Sequence, residues 1–328
     1  MDNSTPHPAV AHQGNKLEDC PVSVFSMVMG TAGVAIAWQK AHKVLGAPIE
    51  IGTSVLSLAT LLFAFLTVLY LLKWMRYPKA AAAERHHPIR INFLPTTSIG
   101  VLLLAVGWKP ISPDVAQVLW MIGAPLHLLL TLLAMSSWIW HSHYDIKHAN
   151  PAWFIPVVGN VIVPIAGAEL VPAEILWFFF SVGIVFWPVL LATILYRLIF
   201  HPAMPDRLTP TLFILLAPPA VGCLAWSSLT GGVDAFSRIL YYCALFLLLL
   251  LMVNLGRFLR TPFHLPAWAY SFPLAAVTIA TLKMAEALDL AALRLLGTVL
   301  LATVSLVVAL LAVLTLNAAA RGKLCVPE

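Results

Sequence analysis

Charge is what this chain has least of. Asp, Glu, Lys and Arg make up 10% of its 328 residues and apolar types 61%, too few charges to keep a surface of that size in water. Cysteine is also sparse: Cys20, Cys223, Cys243 and Cys325 are scattered with no Cys-x-x-Cys pair, which argues against a disulfide framework or a thiolate metal site. The chain has no Cys-x-x-Cys-His, no glycine loop of the phosphate-cradling kind, and no nucleophile, base and acid in a recognisable set. An enzyme has little to stand on, and no metal or other cofactor is expected. The formal charge is +5, yet the basic residues fall in short loops between apolar runs, a pattern of membrane orientation and not of nucleic-acid binding. Residues 1–19 are polar without a basic n-region and the first apolar run has no convincing cleavage site, so that run is expected to be retained as a span.

What is present in quantity is apolar sequence. Ten runs approach the ~20 residues that cross a bilayer: 21–38, 50–73, 92–108, 114–139, 151–169, 173–196, 209–229, 234–256, 265–284 and 290–317. The fold expected is all-α integral membrane, with residues 1–20 as a short tail, 21–318 as a domain of ten transmembrane helices and 319–328 as a second tail. With both termini on one side, that side collects 13 Lys and Arg and the other 6. Cytoplasmic termini and a cell inner-membrane location are therefore expected.

The runs alternate in kind. Even-numbered runs, such as TLLFAFLTVLYLL (60–72) and LFLLLLLMVNL (245–255), are long and rich in Leu and Phe, as lipid-facing helices should be. Odd-numbered runs, such as FLPTTSIGVLLLAVGW (93–108) and WFIPVVGNVIVPIAG (153–167), are shorter and punctuated by Pro, Gly and small polar residues. Their starts near 21, 92, 151, 210 and 266 recur at roughly regular intervals, which predicts five helical hairpins around a central pore, odd helices inside and even helices outside.

The ninth run holds the stretch Leu265–Lys283, with Phe272 and Pro273 near its middle. Proline removes a backbone donor, here the partner of the Ala269 carbonyl, and pushes the residue before it out of the α region. Phe272 is thus expected to be a corner with its ring aimed into the path. The middle turns of the odd helices carry no Asp, Glu, Lys, Arg or His, and only Glu169 and Lys283 stand near their outer ends. Proton-coupled carriers usually keep a charge at depth despite its cost of ~2.5–3.5 kcal/mol on insertion scales. A path without one can still pass an anion, given helix-end amides, hydroxyls and basic mouths. Thr31, Thr96, Thr97, Ser98, Asn160 and Thr278 are candidate polar contacts. Gly30, Gly100, Gly159, Pro156, Pro218, Pro219 and Pro273 complete the expected lining. His86, His87, His141, His143 and His148 are expected to be loop histidines, and His127, following Pro125 inside an even helix, to bond a neighbouring helix.

Several stretches resemble a known family. HPIRINF (87–93), NPAWFIPVVGN (150–160), RLTPTLFILLAPPAVG (207–222) and above all WAYSFPLAA (268–276) are similar to segments of the tellurite-resistance/dicarboxylate transporter family, which includes plant slow-type anion channels and bacterial tellurite-resistance channel proteins. The resemblance runs from Phe25 to about Asn317, and the spacing of Phe25, Gly30 and Trp38 agrees with it. It implies a homotrimer in the lipid bilayer, each protomer with its own pore, in which Phe272 takes the place of the family's gating phenylalanine. Gly30 matches the small position of the first pore helix, and small inorganic or organic anions are the implied cargo, chosen by size and hydration. The plant channels carry long tails that kinases act on, so the short tails here argue against opening by phosphorylation. The function expected is an anion-selective channel or facilitator occluded by Phe272. The alternative is a secondary transporter of tellurite, sulfite or C4-dicarboxylates such as malate.

Overall fold

A computed structural model describes residues 15–141 and 144–325, and among these it contains helices and no strand. His143 lies outside the described residues. In chain order the helices are α1 (Ser26–Leu45), α2 (Ile49–Arg76), α3 (Pro78–His86), α4 (Thr96–Trp108), α5 (Pro113–Trp140), α6 (Phe154–Val158), α7 (Ile162–Gly167), α8 (Ala173–Phe200), α9 (Ala217–Thr230), α10 (Ala235–Val253), α11 (Leu255–Arg260), α12 (Ser271–Leu288) and α13 (Ala291–Ala320).

Burial runs opposite to hydropathy, and that inversion identifies the solvent. The segments Val22–Leu45, Arg90–Trp108, Asp206–Thr230 and Leu265–Leu288 have mean hydropathies of 1.4 to 1.8 and are 72–78% buried. The helices α2, α5, α8, α10 and α13 have mean hydropathies of 2.0 to 2.8 and are only 17–39% buried. In water the greasier helices would be inside; with lipid outside, apolar side chains are matched to their surroundings and only small, less apolar helices gain by packing closely. Nine described helices are long and apolar enough to cross a membrane, and the chain is a multi-pass membrane protein.

The buried segments form a closed ring. α1 packs on α4, α4 on α7, α7 on α9, α9 on α12, and α12 returns to α1. Each also packs on the long helix that follows it in sequence, α1 on α2, α4 on α5, α6 and α7 on α8, α9 on α10 and α12 on α13. Indole N–H groups tie the layers together: Trp38 donates to Ser305 Oγ at 3.0 Å, Trp108 to Thr60 Oγ1 at 3.0 Å and Trp268 to Thr315 Oγ1 at 2.9 Å. Bonds of this kind between membrane helices contribute about 0.6 kcal/mol each on average.

Every ring segment begins as a 3-10 helix and then relaxes to α. The 3-10 turns are Val22–Phe25, Arg90–Phe93, Pro151–Trp153, Asp206–Leu216 and Leu265–Tyr270, whereas the outer α2, α5, α8 and α13 run unbroken for 28, 28, 28 and 30 residues. The prolines explain where the change falls. Pro95 directly precedes α4, Pro218 and Pro219 are the second and third residues of α9, and Pro156, Pro164 and Pro273 are the third residues of α6, α7 and α12. A first-turn proline gives up an amide that has no helical partner in any case. These prolines therefore start α-helix and do not bend it, and the expected corner at Phe272 is not there. Ser271, at φ −72° and ψ −62°, already has α geometry, and Phe272 and Pro273 follow inside α12.

The fifth crossing departs furthest from a single span. Pro151–Gly167 is shorter than the other crossings and is cut into a 3-10 turn, α6, a second 3-10 turn at Gly159–Val161, and α7. The larger rise of 3-10 turns, ~2.0 Å per residue against ~1.5 Å, lengthens so short a segment toward the ~30 Å of the hydrocarbon layer.

The end at which the ring segments start, here called proximal, is fastened by a buried ion pair. Lys73 Nζ lies 2.5 Å from Glu84 Oε1, with side chains 3% and 1% exposed. Lys73 also donates to the Cys20 carbonyl at 2.7 Å, while Glu84 Oε2 accepts from the Val22 amide at 3.0 Å and the Tyr70 hydroxyl at 3.1 Å. The pair thus fixes the first residues of the first ring segment onto α2 and α3. Loss of one partner of such a pair costs about 3–5 kcal/mol because the other charge stays buried. Glu84→Ala should therefore lower the unfolding temperature of the purified protein markedly; an unchanged thermal transition in detergent would show that the network does not hold this end.

Candidate functional site

Inside the ring, at the level where 3-10 turns become α-helices, lies a cavity of about 60 Å³. Its wall comes from all five ring segments and from no outer helix: Ser26 and Met29; Phe93, Thr96 and Ile99; Phe154, Ile155, Val158, Gly159 and Ile162; Ile214, Ala217, Pro218 and Val221; and Pro266, Trp268, Ala269, Phe272 and Pro273. Toward the distal end, where the ring segments finish, a chamber of about 300 Å³ is lined by Lys40, Lys43, Lys283 and Ser228 together with apolar residues. Ile162, Val221 and Phe272 line both spaces. These three apolar side chains, one each from α7, α9 and α12, are the partition between them.

The series continues in both directions. Proximally, Phe93 and Pro266 connect the small cavity to an opening lined by His87, Arg90 and Arg207. Distally, Lys40 and Lys43 lead to a wide recess that also includes Lys109 and Glu169. Both ends carry basic side chains, and the middle carries none.

Phe272 is 8% exposed. Its seat is shaped by Gly33 on α1, where an added Cβ would stand 3.4 Å from Phe272 Cδ2 and 2.9 Å from the Ala275 Cβ. The bare glycine lets α1 and α12 close on each other beside the ring. Neither Gly33 nor the partners Ile162 and Val221 stood out in the sequence, although Gly33 lies about one turn from Gly30 on the same helix face.

Of the fourteen residues expected along the path, Phe272, Pro273, Gly159, Pro218 and Thr96 line the cavity. Gly30, Thr31, Thr97, Ser98, Gly100, Pro156, Asn160, Pro219 and Thr278 are not part of its wall. Gly30 is pressed against Ser271 and Trp268, and Gly100 faces Phe63 and Val28. The Thr31 hydroxyl donates to the Met27 carbonyl at 2.8 Å and that of Thr97 to the Leu94 carbonyl at 2.8 Å. In a helix without water the preceding turn is the nearest acceptor, so these hydroxyls fold back on it. Thr96, one residue from Thr97, lines the cavity instead, with its proton given to the Phe93 carbonyl at 2.6 Å.

Behind Gly159 sits a buried polar cluster. His127 is fully buried, its Nδ1 2.9 Å from Ser98 Oγ. Asn160 donates to Thr131 Oγ1 at 3.0 Å and to the carbonyls of Pro156 and Val157 at 3.1 and 2.9 Å, and Thr131 in turn donates to the Pro156 carbonyl at 2.5 Å. The cluster caps the carbonyls of Pro156 and Val157 where α6 gives way to a 3-10 turn, and it anchors the broken fifth segment to α4 and α5. Among the loop histidines, His148 Nδ1 accepts from the Asp145 amide at 3.1 Å, and the rings of His86 and His141 lie 6.5 Å apart.

Comparison with known proteins identifies the family. A family model described as SLAC1, voltage-dependent anion channel, matches residues 19–316. The S-type anion channel SLAH3 of Arabidopsis thaliana is 32% identical over 303 residues, 90% of this chain and 48% of the plant protein. The guard cell S-type anion channel SLAC1 of the same plant is 28% identical over 277 residues, 81% and 50% of the two chains. A tellurite resistance protein TehA homolog of Haemophilus influenzae is 25% identical over 263 residues, 78% and 79%. The chain spans about half the length of the plant channels it matches.

The fit of α1 on α12 yields a test. A Cβ at Gly30 would lie 2.2 Å from Ser271 Oγ and 2.6 Å from its Cβ, an overlap of the kind that costs about 1–3 kcal/mol. Gly30→Ala should lower the unfolding temperature, and Gly30→Ala combined with Ser271→Gly should recover most of the loss. Equal stability of Gly30→Ala and parent would mean that the two helices are not in the close contact described.

Proposed function

Since the chain belongs to the SLAC1 family of voltage-dependent anion channels, we propose that it is an anion-selective channel or facilitator whose route is the series of cavities inside the ring, closed by Phe272. The observation that carries this reading is the partition: one aromatic and two aliphatic side chains separate two spaces whose far ends are basic. A neck of this kind resists ions because an anion must shed water there and receives no polar group in exchange. Movement of the Phe272 ring would join the spaces, after which basic mouths concentrate anions and repel cations at both ends. The route needs no catalytic step. Its apolar middle supports discrimination by hydration: anions that give up water easily pass, and strongly hydrated ones are held back.

The protomer is sufficient for its own route, because the ring closes within one chain. The resemblance to the family implies a homotrimer, which would then carry three independent paths, and we take it to be set in the cell inner membrane with both termini cytoplasmic, so that the proximal end faces the cytoplasm. The excess of Lys and Arg in the proximal loops supports the orientation. An uncoupled route is favoured over a proton-coupled one by the lining of the central cavity, where the described residues include no Asp, Glu, Lys, Arg or His between Arg90 and Arg207 at one end and the lysines at the other.

Phe272→Ala should raise chloride or nitrate current at least about tenfold, the factor that removing about 1.4 kcal/mol of barrier supplies. Recordings from oocytes or planar bilayers with surface expression matched to parent provide the measurement. A well-expressed variant that conducts no better than parent would remove Phe272 as the closure. Flux that saturates and follows an imposed proton gradient would replace the channel with a carrier.

A further inference from the structure

Resting on that route, we propose that Glu286 fixes the charge class of anion that the distal chamber retains. Its carboxylate is a built-in competitor for the chamber's lysines, so that monovalent anions pass through and dianions are not trapped. The geometry is specific. Glu286 Oε2 lies 2.5 Å from Lys40 Nζ and 3.4 Å from Lys283 Nζ, so one oxygen is shared by two ammonium groups. Lys40, Lys43 and Lys283 line the chamber that ends on Phe272, whereas Glu286 does not line it. The carboxylate stands behind two lysines, where it removes charge without occupying the passage. Lys43 has no carboxylate partner among the described residues.

The charge count decides the outcome. Three ammonium groups and one carboxylate leave two net positive charges at the chamber; without Glu286 there would be three. Coulomb attraction grows with the product of charges, so a sulfate or C4-dicarboxylate dianion gains twice as much as chloride from that third charge. Lys40 is the lysine closest to Glu286, at 2.5 Å, and with its side chain only 15% exposed its charge is poorly screened. Glu286 lies in the last turn of α12, where the helix dipole disfavours an anion, and its partners there are Lys283 one turn earlier and Lys40 of α1. A carboxylate shared between two chamber lysines acts on the field of the chamber through both of them.

The experiment compares parent and Glu286→Gln, recording chloride current while sulfate or malate is added to one side at a time. From the distal side, the half-blocking concentration of sulfate should fall about tenfold in the variant, the factor given by about 1.4 kcal/mol, with no such change from the proximal side. Adding Lys40→Gln to Glu286→Gln should return block to the parent level. Equal block of parent and Glu286→Gln, or a change equal from both sides, overturns the proposal. A second measurement needs no conduction: sulfate should raise the unfolding temperature of detergent-purified Glu286→Gln more than that of parent, and an equal rise also overturns it. Failure of Phe272→Ala to alter current bears on the route, while the sulfate-dependent unfolding shift bears on the chamber, so the two can fail separately.

Discussion

A backbone in lipid must keep its own polar groups bonded, and here that constraint meets five crossings made with proline, glycine and small residues. Such segments expose unpaired carbonyls and little side chain, so they cannot face acyl chains. The remedy is a complete outer layer. α2, α5, α8, α10 and α13 take the lipid contact, and each covers the ring segment before it. The ring can then hold irregular helix, a buried polar cluster and a row of cavities, none of which lipid would tolerate.

The common level of the irregularities ties this packing to the site. In each segment the change from 3-10 to α falls next to the central cavity, at Ser26, Thr96, Phe154, Ala217 and Ser271 or one residue from it. A 3-10 turn is thinner and longer per residue than an α turn, and its side chains stack at every third position. Beyond this level Ile162 at the start of α7, Val221 one turn into α9 and Phe272 at the start of α12 separate the two spaces. The narrow place is thus built from residues of the ring helices themselves.

Much of this was legible in the sequence because lipid and neighbour helices select differently. The alternation of greasy and punctuated runs translated directly into outer and inner layers, since hydropathy and helix size decide which surface a membrane helix tolerates. The proline beside Phe272 drew attention to a residue that lines the cavity, but Pro273 lies in the first turn of an α-helix and makes no corner. Of the other expected positions, Thr96, Gly159, Pro218 and Pro273 line the cavity and the remainder do not. Polar and glycine positions drew attention, but Thr31 and Thr97 turn back on their own helices and Gly30 serves the contact with α12. Ordinary residues such as Ile162, Val221 and Ile99 face the cavity, and nothing in an isoleucine's local sequence distinguishes a pore wall from a core. Glu84 and Glu286 were missed for a related reason. Each matters through a lysine on another helix, Lys73 on α2 for Glu84 and Lys40 on α1 for Glu286, and single-chain reading has no means of pairing them.

The distribution of charge along the route carries the mechanism further than the closure does. Fixed charges near the narrow place would bind anions there tightly, and release would then limit throughput. With basic groups only at the ends, attraction raises anion concentration at each mouth, while the neck contributes a cost set by hydration alone. Selectivity against cations and selectivity among anions thus reside in different places, the first in the mouths and the second in the partition. A chain built this way can change which anion it favours by altering one apolar side chain, or how many anions wait at the door by altering one lysine, without rebuilding the ring. The carboxylate of Glu286 belongs to the second kind of control, placed outside the passage where it adjusts the field and leaves the bore unchanged.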